Sequence, residues 1–298
     1  MQCSDRAIDR FERRRVLSVS SIATAVVVAL VAAGQVPTFQ SGINLVEVYA
    51  TVLDASGAPI RGLTREDFVL LEDGQAQSID AFAEGAFPVS VAIGIDRSAS
   101  MAGMKLALAK RATTGFLRAL EPLDRSSVFA IGAEPELVAP ASMARDAQVG
   151  AVDALDAWST TALYDGVAMM LTAVADEPGR QAVVVFSDGV DRYSQTRAGT
   201  LLEQARRSRA LVYPIAIGRT RPPVLAEIAA ASGGRSVLVP TVGALDAALN
   251  GIAEELHHQY LLGYMPPTGP AGWRRITVQL AARRTGVRVR ARDGYVAD

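Results

Sequence analysis

The feature that most constrains the fold is an alternation of apolar and amphipathic segments between residues 89 and 257. Apolar segments of strand length lie at 89–96, 126–132, 136–141, 182–188, 211–218 and 236–239. Segments with helical spacing lie at 105–120, 147–158, 162–175, 199–209, 224–231 and 244–257. Continuous apolar strands joined by helices are typical of a sheet that is buried on both faces. The pattern therefore predicts an α/β fold with a doubly wound, mostly parallel sheet.

Extended segments flank this region on both sides. Strands are predicted at 43–52, 68–71, 75–82, 259–265, 275–280 and 287–291. The second and third are joined by an Asp73-Gly74 turn, which predicts a hairpin. Because short antiparallel strands cannot bury a core alone, we expect the N- and C-terminal strands to form one small β-sandwich. In the last strand, arginines alternate with valines, which predicts a solvated arginine face or, alternatively, an acid-binding surface.

The N-terminus resembles an export segment. Residues 16–33 form a run of eighteen uncharged residues after three consecutive arginines. This length lies between a signal-peptide core and a membrane span, so a cleaved signal peptide and a retained anchor both stay open. In either case the positive charges stay inside and residues from 35 onward lie outside the cytoplasmic membrane. The expected location is periplasmic, at the cell surface, or anchored in the cytoplasmic membrane with the C-terminal part outside.

The expected domain organisation follows from these segments. Residues 1–34 are a signal peptide or an N-terminal membrane anchor, 35–87 the N-terminal strands, 88–257 the α/β domain and 258–298 the C-terminal strands. With 298 residues, half of them apolar and a fifth charged, the chain can build a packed core. A net charge of -1 gives no electrostatic reason to expect nucleic-acid binding. The single cysteine, Cys3, leaves the exported part without a disulfide.

Five oxygen-bearing side chains are expected to meet at one edge of the sheet. Asp96 and Asp188 end predicted strands, and the carboxyl ends of parallel strands share an edge where ligands bind. Ser98 and Ser100 follow Asp96, and Thr161 precedes a predicted helix. Each residue taken alone is compatible with a helix cap or a turn. Together they predict a site for a hard divalent cation, Mg²⁺ or Mn²⁺, rather than zinc or copper.

This arrangement resembles the metal-ion-dependent adhesion site of the von Willebrand factor type A domain, which has the pattern Asp-x-Ser-x-Ser, Thr and Asp. The resemblance covers residues 88–256, and residues 62–68 and 259–264 resemble the flanks of this domain in bacterial exported relatives. It implies that Ser98, Ser100 and Thr161 contact the metal. It further implies that Asp96 and Asp188 act through water or as hydrogen-bond acceptors, and that the metal bridges to an acidic residue of a protein partner.

The sequence departs from the family pattern in two places. Ala99 stands where glycine is frequent, and Ser159-Thr160 stand in a loop that is often rich in glycine. Neither change removes a predicted ligand. Candidates for setting partner specificity near the site are Arg97, Trp158, Tyr164, Arg192 and Tyr193, with local packing as the alternative for the tyrosines and the tryptophan.

The sequence offers little for catalysis. No phosphate-binding Gly-rich loop and no Gly-x-Ser-x-Gly motif follows a strand, and the histidines, His257 and His258, lie late on a predicted helix. We therefore predict a protein-binding or adhesion module and not an enzyme, with membrane contact only through the N-terminal segment. Two alternatives remain open: a structural or assembly domain whose β-sandwich binds the partner, and a metal-dependent hydrolase.

Overall fold

A computed structural model describes residues 45–85, 87–189, 191–218, 221–239, 242–282 and 284–297. These residues belong to one compact unit. The predicted export segment, residues 1–34, lies outside them. Within the described ranges, no helix combines the length and the apolar character needed to cross a membrane.

Strands and helices follow the predicted order. The strands are β1 (Val46–Leu53), β2 (Phe68–Glu72), β3 (Gln75–Gln77), β4 (Ala81–Gly85), β5 (Val89–Asp96), β6 (Arg125–Ile131), β7 (Glu136–Ala139), β8 (Arg180–Ser187), β9 (Leu211–Ile217), β10 (Val237–Val239), β11 (Gln259–Tyr264), β12 (Gly272–Leu280), β13 (Arg288–Arg290) and β14 (Gly294–Ala297). The helices are α1 (Met104–Ala119), α2 (Arg145–Asp153), α3 (Leu163–Val174), α4 (Ala198–Arg207), α5 (Pro223–Ser232) and α6 (Val242–His257).

The central sheet has six strands in the order β10-β9-β8-β5-β6-β7. All neighbours are parallel except β6 and β7, which are antiparallel. The chain leaves β5 towards β6 and returns to the other side of β5 with β8. This reversal is the topological switch point, where open α/β sheets bind their ligands.

Helices cover both faces of this sheet, as predicted. Alternate residues of β5 enter two different apolar clusters, with Val91, Ile93 and Ile95 on one side and Ala92 on the other. The first cluster includes residues of α1, α2 and α6, and the second includes residues of α3, α4 and α5. Every residue of β5 is buried. The fold class expected from the sequence is confirmed.

The flanking strands form two further four-stranded antiparallel sheets, in the orders β13-β1-β11-β4 and β14-β12-β2-β3. Buried residues of both sheets share one apolar cluster, for example Val48 and Leu262 from the first sheet and Leu70 and Ile276 from the second. N- and C-terminal strands therefore pack together, as expected for a small β-sandwich.

Three expectations for the sandwich need correction. The predicted strand at 75–82 is two strands in different sheets, because Ile79 turns into the core and the N–H of Asp80 donates to the carbonyl of Gly263 at 2.8 Å. Strand β14 was not predicted. Arg290 is not on a solvated face, because its Nη2 donates to the buried Glu255 of α6 at 2.6 Å.

Helix α2 is shorter than the predicted segment 147–158. It ends at Asp153, where Lys110 donates to the carbonyls of Asp153 at 2.6 Å and Leu155 at 2.9 Å. These bonds satisfy carbonyl groups that a helix end leaves without partners. The released segment continues to Trp158, whose N–H donates to the carbonyl of Arg97 at 2.8 Å. Residues 154–158 thus belong to the edge of the sheet that carries the candidate site.

Candidate metal site

Asp96 is the centre of the candidate site. It is the last residue of β5 and is fully buried. Its Oδ1 accepts the N–H of Ser98 at 2.9 Å and the hydroxyl of Thr161 at 3.4 Å, and its Oδ2 accepts the hydroxyl of Ser187 at 2.6 Å. The carboxylate therefore joins the ends of β5 and β8 and the loop that precedes α3.

A chain of hydroxyls leads from Ser98 to the second carboxylate. The hydroxyl oxygens of Ser98 and Ser100 lie 3.1 Å apart. The hydroxyl of Ser100 donates to Oδ1 of Asp188 at 2.9 Å. The side chain of Asp188 is only 4% exposed. The structure therefore brings all five predicted residues to one edge of the sheet, linked by hydrogen bonds.

Backbone contacts hold Thr161 in place. Its carbonyl accepts the N–H groups of Arg192 at 3.1 Å and Tyr193 at 3.2 Å. One residue later, the N–H of Ala162 donates to the carbonyl of Gly132 at 2.8 Å. These bonds tie the threonine loop to the loops after β6 and β8, so the position of Thr161 depends on three separate parts of the chain.

Ala99 and Ser159, at which the sequence departs from the family pattern, contact each other through the backbone. The N–H of Ala99 donates to the carbonyl of Ser159 at 3.0 Å. Ser159 has a φ of 78°, in the left-handed region that favours glycine. The serine is therefore strained at the position where the loop is often rich in glycine, and the bond from Ala99 helps to hold it there.

Two residues at this edge were not among the predicted ligands. Ser187 immediately precedes Asp188, and its hydroxyl donates to Asp96 and accepts the N–H of Gly189 at 3.1 Å. Lys105, in the first turn of α1, places its ammonium on Oδ2 of Asp188 and donates to the carbonyl of Ser100 at 3.1 Å. The Ser-Asp-Gly motif could have identified Ser187 as a residue of the site. Nothing in the local sequence shows that Lys105 contacts Asp188.

The charges at this edge suit a cation. Burial raises the pKa of Asp96, the hydrogen bonds from Ser187 and Ser98 offset this in part, and the negative charge of Asp188 raises it further. A nearby positive charge stabilises the ionised carboxylate, and so it opposes the rise in the pKa of Asp96 that burial and the charge of Asp188 cause. In the described part of the chain, no group of three or more histidine, cysteine, aspartate or glutamate side chains could hold a metal ion. The oxygen donors here are two carboxylates and the hydroxyls of Ser98, Ser100, Thr161 and Ser187.

The surface around the site carries exposed aromatic and apolar side chains. Trp158 is 59% exposed, and the guanidinium of Arg97 lies 5.0 Å from its ring centre while also pairing with Glu136 at 2.9 Å. Tyr193 and Met104 are exposed as well. Tyr164 is partly buried and its N–H donates to Asp191, so its backbone supports the loop after β8.

Comparison with known proteins agrees with this geometry. The family model of the von Willebrand factor type A domain matches residues 91–190. No protein in a search of curated sequences gave a match.

Several solved structures share the fold. A von Willebrand factor type A protein from Catenulispora acidiphila has a TM-score of 0.51 at 16% identity, over 84% of this chain and 73% of its own. Proximal thread matrix protein 1 from the mussel byssus, with a zinc-occupied metal-ion-dependent adhesion site, has a TM-score of 0.51 at 14% identity, over 63% and 50%. The PilB minor pilin of Streptococcus sanguinis has a TM-score of 0.50 at 10% identity, over 58% and 62%. Residues 91–190 are therefore similar to the von Willebrand factor type A domain, and the α/β region shares the fold of these solved structures.

Proposed function

We propose that this chain is a metal-dependent protein-binding module. The observation that supports it best is the convergence of Asp96, Ser98, Ser100, Thr161 and Asp188 on the carboxyl edge of the sheet. Two of these residues are carboxylates and three carry hydroxyls, and oxygen donors of this kind fit Mg²⁺ or Mn²⁺. The ammonium of Lys105, which contacts Asp188 and the carbonyl of Ser100, supports the proposal because it is a positive charge among these oxygens.

In this proposal the hydroxyls of Ser98, Ser100 and Thr161 hold the cation. Asp96 and Asp188 orient those hydroxyls, since both accept hydrogen bonds from them. Orienting groups of this kind tune the affinity of a metal site. When bound, the cation supplies a positive centre on which an acidic side chain of a protein partner can complete the coordination. Exposed Trp158 and Tyr193 lie beside that position and suit the contact surface of a protein.

We further propose that the module works outside the cytoplasmic membrane. The support is the N-terminal sequence, in which an uncharged apolar run follows an arginine cluster. The single cysteine lies within that segment, so the exported part needs no disulfide. Protease protection of the C-terminal part in spheroplasts, whose cytoplasmic membrane is intact but whose outer layers are opened, would contradict this location.

The metal proposal is tested by calorimetric titration of the purified chain with Mn²⁺ and Mg²⁺. We expect Ser98→Ala and Thr161→Ala to weaken binding by about 10- to 100-fold. Thr172→Ala is the matched control, because this exposed hydroxyl lies on α3 and donates to the carbonyl of Ala168. If the unsubstituted chain binds neither ion, the metal proposal is wrong.

Partner binding is tested by capture of envelope proteins on the immobilised chain, with Mg²⁺ and then with EDTA. A partner that is lost with EDTA and with Asp188→Asn, but kept with Asp176→Asn, would support metal-bridged binding. Asp176 is an exposed aspartate away from the site, so it controls for the loss of one negative charge. A partner retained under all these conditions would instead favour binding through the β-sandwich.

A further inference from the structure

Lys105 is a cation built into the chain at the candidate metal site. Its ammonium contacts Oδ2 of Asp188 and the carbonyl of Ser100, so it uses oxygens of two predicted site residues. The other oxygen of Asp188 accepts the hydroxyl of Ser100 at 2.9 Å. Both oxygens of this buried carboxylate are therefore engaged by the protein itself.

The charge distribution gives this contact a role. Asp96 and Asp188 bring two carboxylates close together in a region with little access to water. Like charges in such a place destabilise each other unless a positive charge is near. Arg97, which follows Asp96, is directed to Glu136 and Trp158 instead.

The position of Lys105 on its helix also indicates that the contact matters. It lies in the first turn of α1, which contains no acidic residue. A positive charge near a helix N-terminus is unfavourable, because that end of the helix dipole is itself positive. The contact with Asp188 offsets this cost.

The ammonium of Lys105 can leave the carboxylate of Asp188. The side chain of Lys105 is 42% exposed, whereas that of Asp188 is 4% exposed. A lysine has a flexible four-carbon stem and a strongly hydrated charge. It can therefore swing from the carboxylate into solvent without moving the helix.

We propose that Lys105 is a tethered counter-cation that neutralises Asp188 when no metal is bound and that a divalent ion must displace. This inference rests on the proposed metal site. Because the ammonium and a divalent ion compete for the same oxygens and repel each other, Lys105 lowers the affinity for the metal. The site would then bind its ion only where that ion is abundant, and partner binding would follow the ion concentration.

The first test compares metal affinities of the full chain. We expect Lys105→Gln to tighten Mn²⁺ and Mg²⁺ binding by about tenfold, and Lys105→Arg to keep the affinity of the unsubstituted chain. Lys110→Gln is the matched control, since Lys110 lies on the same helix and donates to Asp153 and Leu155. Unchanged or weaker binding in Lys105→Gln would overturn the inference.

A second test reads the displacement directly. Lys105 and Lys110 are the only lysines of the chain, so acylation by an amine-reactive ester can be followed at each by mass spectrometry. At fixed pH, saturating Mg²⁺ should raise the acylation rate of Lys105 and leave that of Lys110 constant. If the ion binds and the rate at Lys105 does not rise, the displacement is excluded. If neither the unsubstituted chain nor Lys105→Gln binds an ion, the proposed metal site itself fails.

Discussion

The hydroxyl of Ser187 donates a hydrogen bond of 2.6 Å to the carboxylate of Asp96, although the two residues are 91 positions apart in the chain. Both side chains lie at the carboxyl ends of neighbouring parallel strands and both are buried. The contact fixes the carboxylate around which the candidate site is arranged. It also ties this carboxylate to the Ser-Asp-Gly turn that carries Asp188.

Replacing Ser187 should therefore affect stability and metal binding together. Ser187→Ala removes a bond to a buried carboxylate, and we expect the free energy of unfolding to fall by about 1.5–3 kcal/mol. Metal affinity should also fall, because Asp96 loses an orienting partner. Ser90→Ala is the control: Ser90 lies at the other end of β5 and donates to the neutral carbonyl of Pro178. Ser90→Ala should lower the free energy of unfolding, measured with urea, by about 0.5–1.5 kcal/mol and leave the metal affinity unchanged.

Ser159 should tolerate glycine better than an ordinary serine does. Its φ of 78° strains a residue with a side chain by about 1–2 kcal/mol, whereas glycine adopts it without strain. Glycine also loses about 0.5–1 kcal/mol through the entropy of the unfolded chain. We expect Ser159→Gly to raise the free energy of unfolding by about 0.5 kcal/mol. Ser142→Gly, at an exposed turn position without a positive φ, should lower it.

The pair formed by Asp124 and His257 should make stability depend on pH. Nε2 of His257 lies 2.9 Å from Oδ2 of Asp124, and this hydrogen bond raises the pKa of His257 above its ordinary value of 6.5, although burial acts the other way. Burial raises the pKa of Asp124, but the hydrogen bonds from His257 and two backbone N–H groups outweigh it and lower the pKa. Both shifts favour the ion pair.

The raised pKa of His257 determines the direction in which stability changes with pH. The protonated imidazole contributes its full stability below the unfolded pKa and loses it as the pH rises through the folded pKa. We expect His257→Gln to lower the free energy of unfolding by about 1.5–3 kcal/mol near pH 5.5, and by less near pH 9. Urea unfolding at several pH values measures this difference. A loss that is independent of pH would show that the ion pair contributes little.

Mutations between the two antiparallel sheets should change stability without changing metal affinity. The hydroxyl of Tyr264 donates to the buried Glu72 at 2.5 Å, and Tyr295 donates to the same oxygen at 3.0 Å. Tyr264→Phe should lower the free energy of unfolding by about 1.5–3 kcal/mol, because a bond to a buried carboxylate is lost. Tyr295→Phe should cost less, because Tyr295 is only partly buried. Metal affinity should be unchanged in both, and a parallel loss of affinity would show that sheets and site are coupled.

Individual helices and strands show how much of the fold the local sequence predicts. The helices α3 and α5 were predicted to within a residue at each end, because their apolar spacing is regular and they pack on one face of the sheet. The predicted segment 147–158 ends five residues beyond α2 and begins two residues after the start of α2. The side chain that satisfies its last carbonyls, Lys110, comes from another helix and leaves no signal in the local pattern. Strand β14 was missed because it exists only by pairing with β12.

The same division applies to the candidate site. Asp96, Ser98, Ser100, Thr161 and Asp188 could be proposed from the sequence, because strand-ending positions in a parallel sheet share one edge. Lys105 as a contact of Asp188 could not be proposed, since that contact spans 83 positions and depends on how α1 lies against the sheet. Apolar periodicity thus determined the class of fold and the edge at which the polar residues gather, because the hydrophobic effect is non-directional and requires no particular partner side chain. Only the tertiary structure decided which charges touch there, because a contact between distant side chains is set by the packing of whole elements.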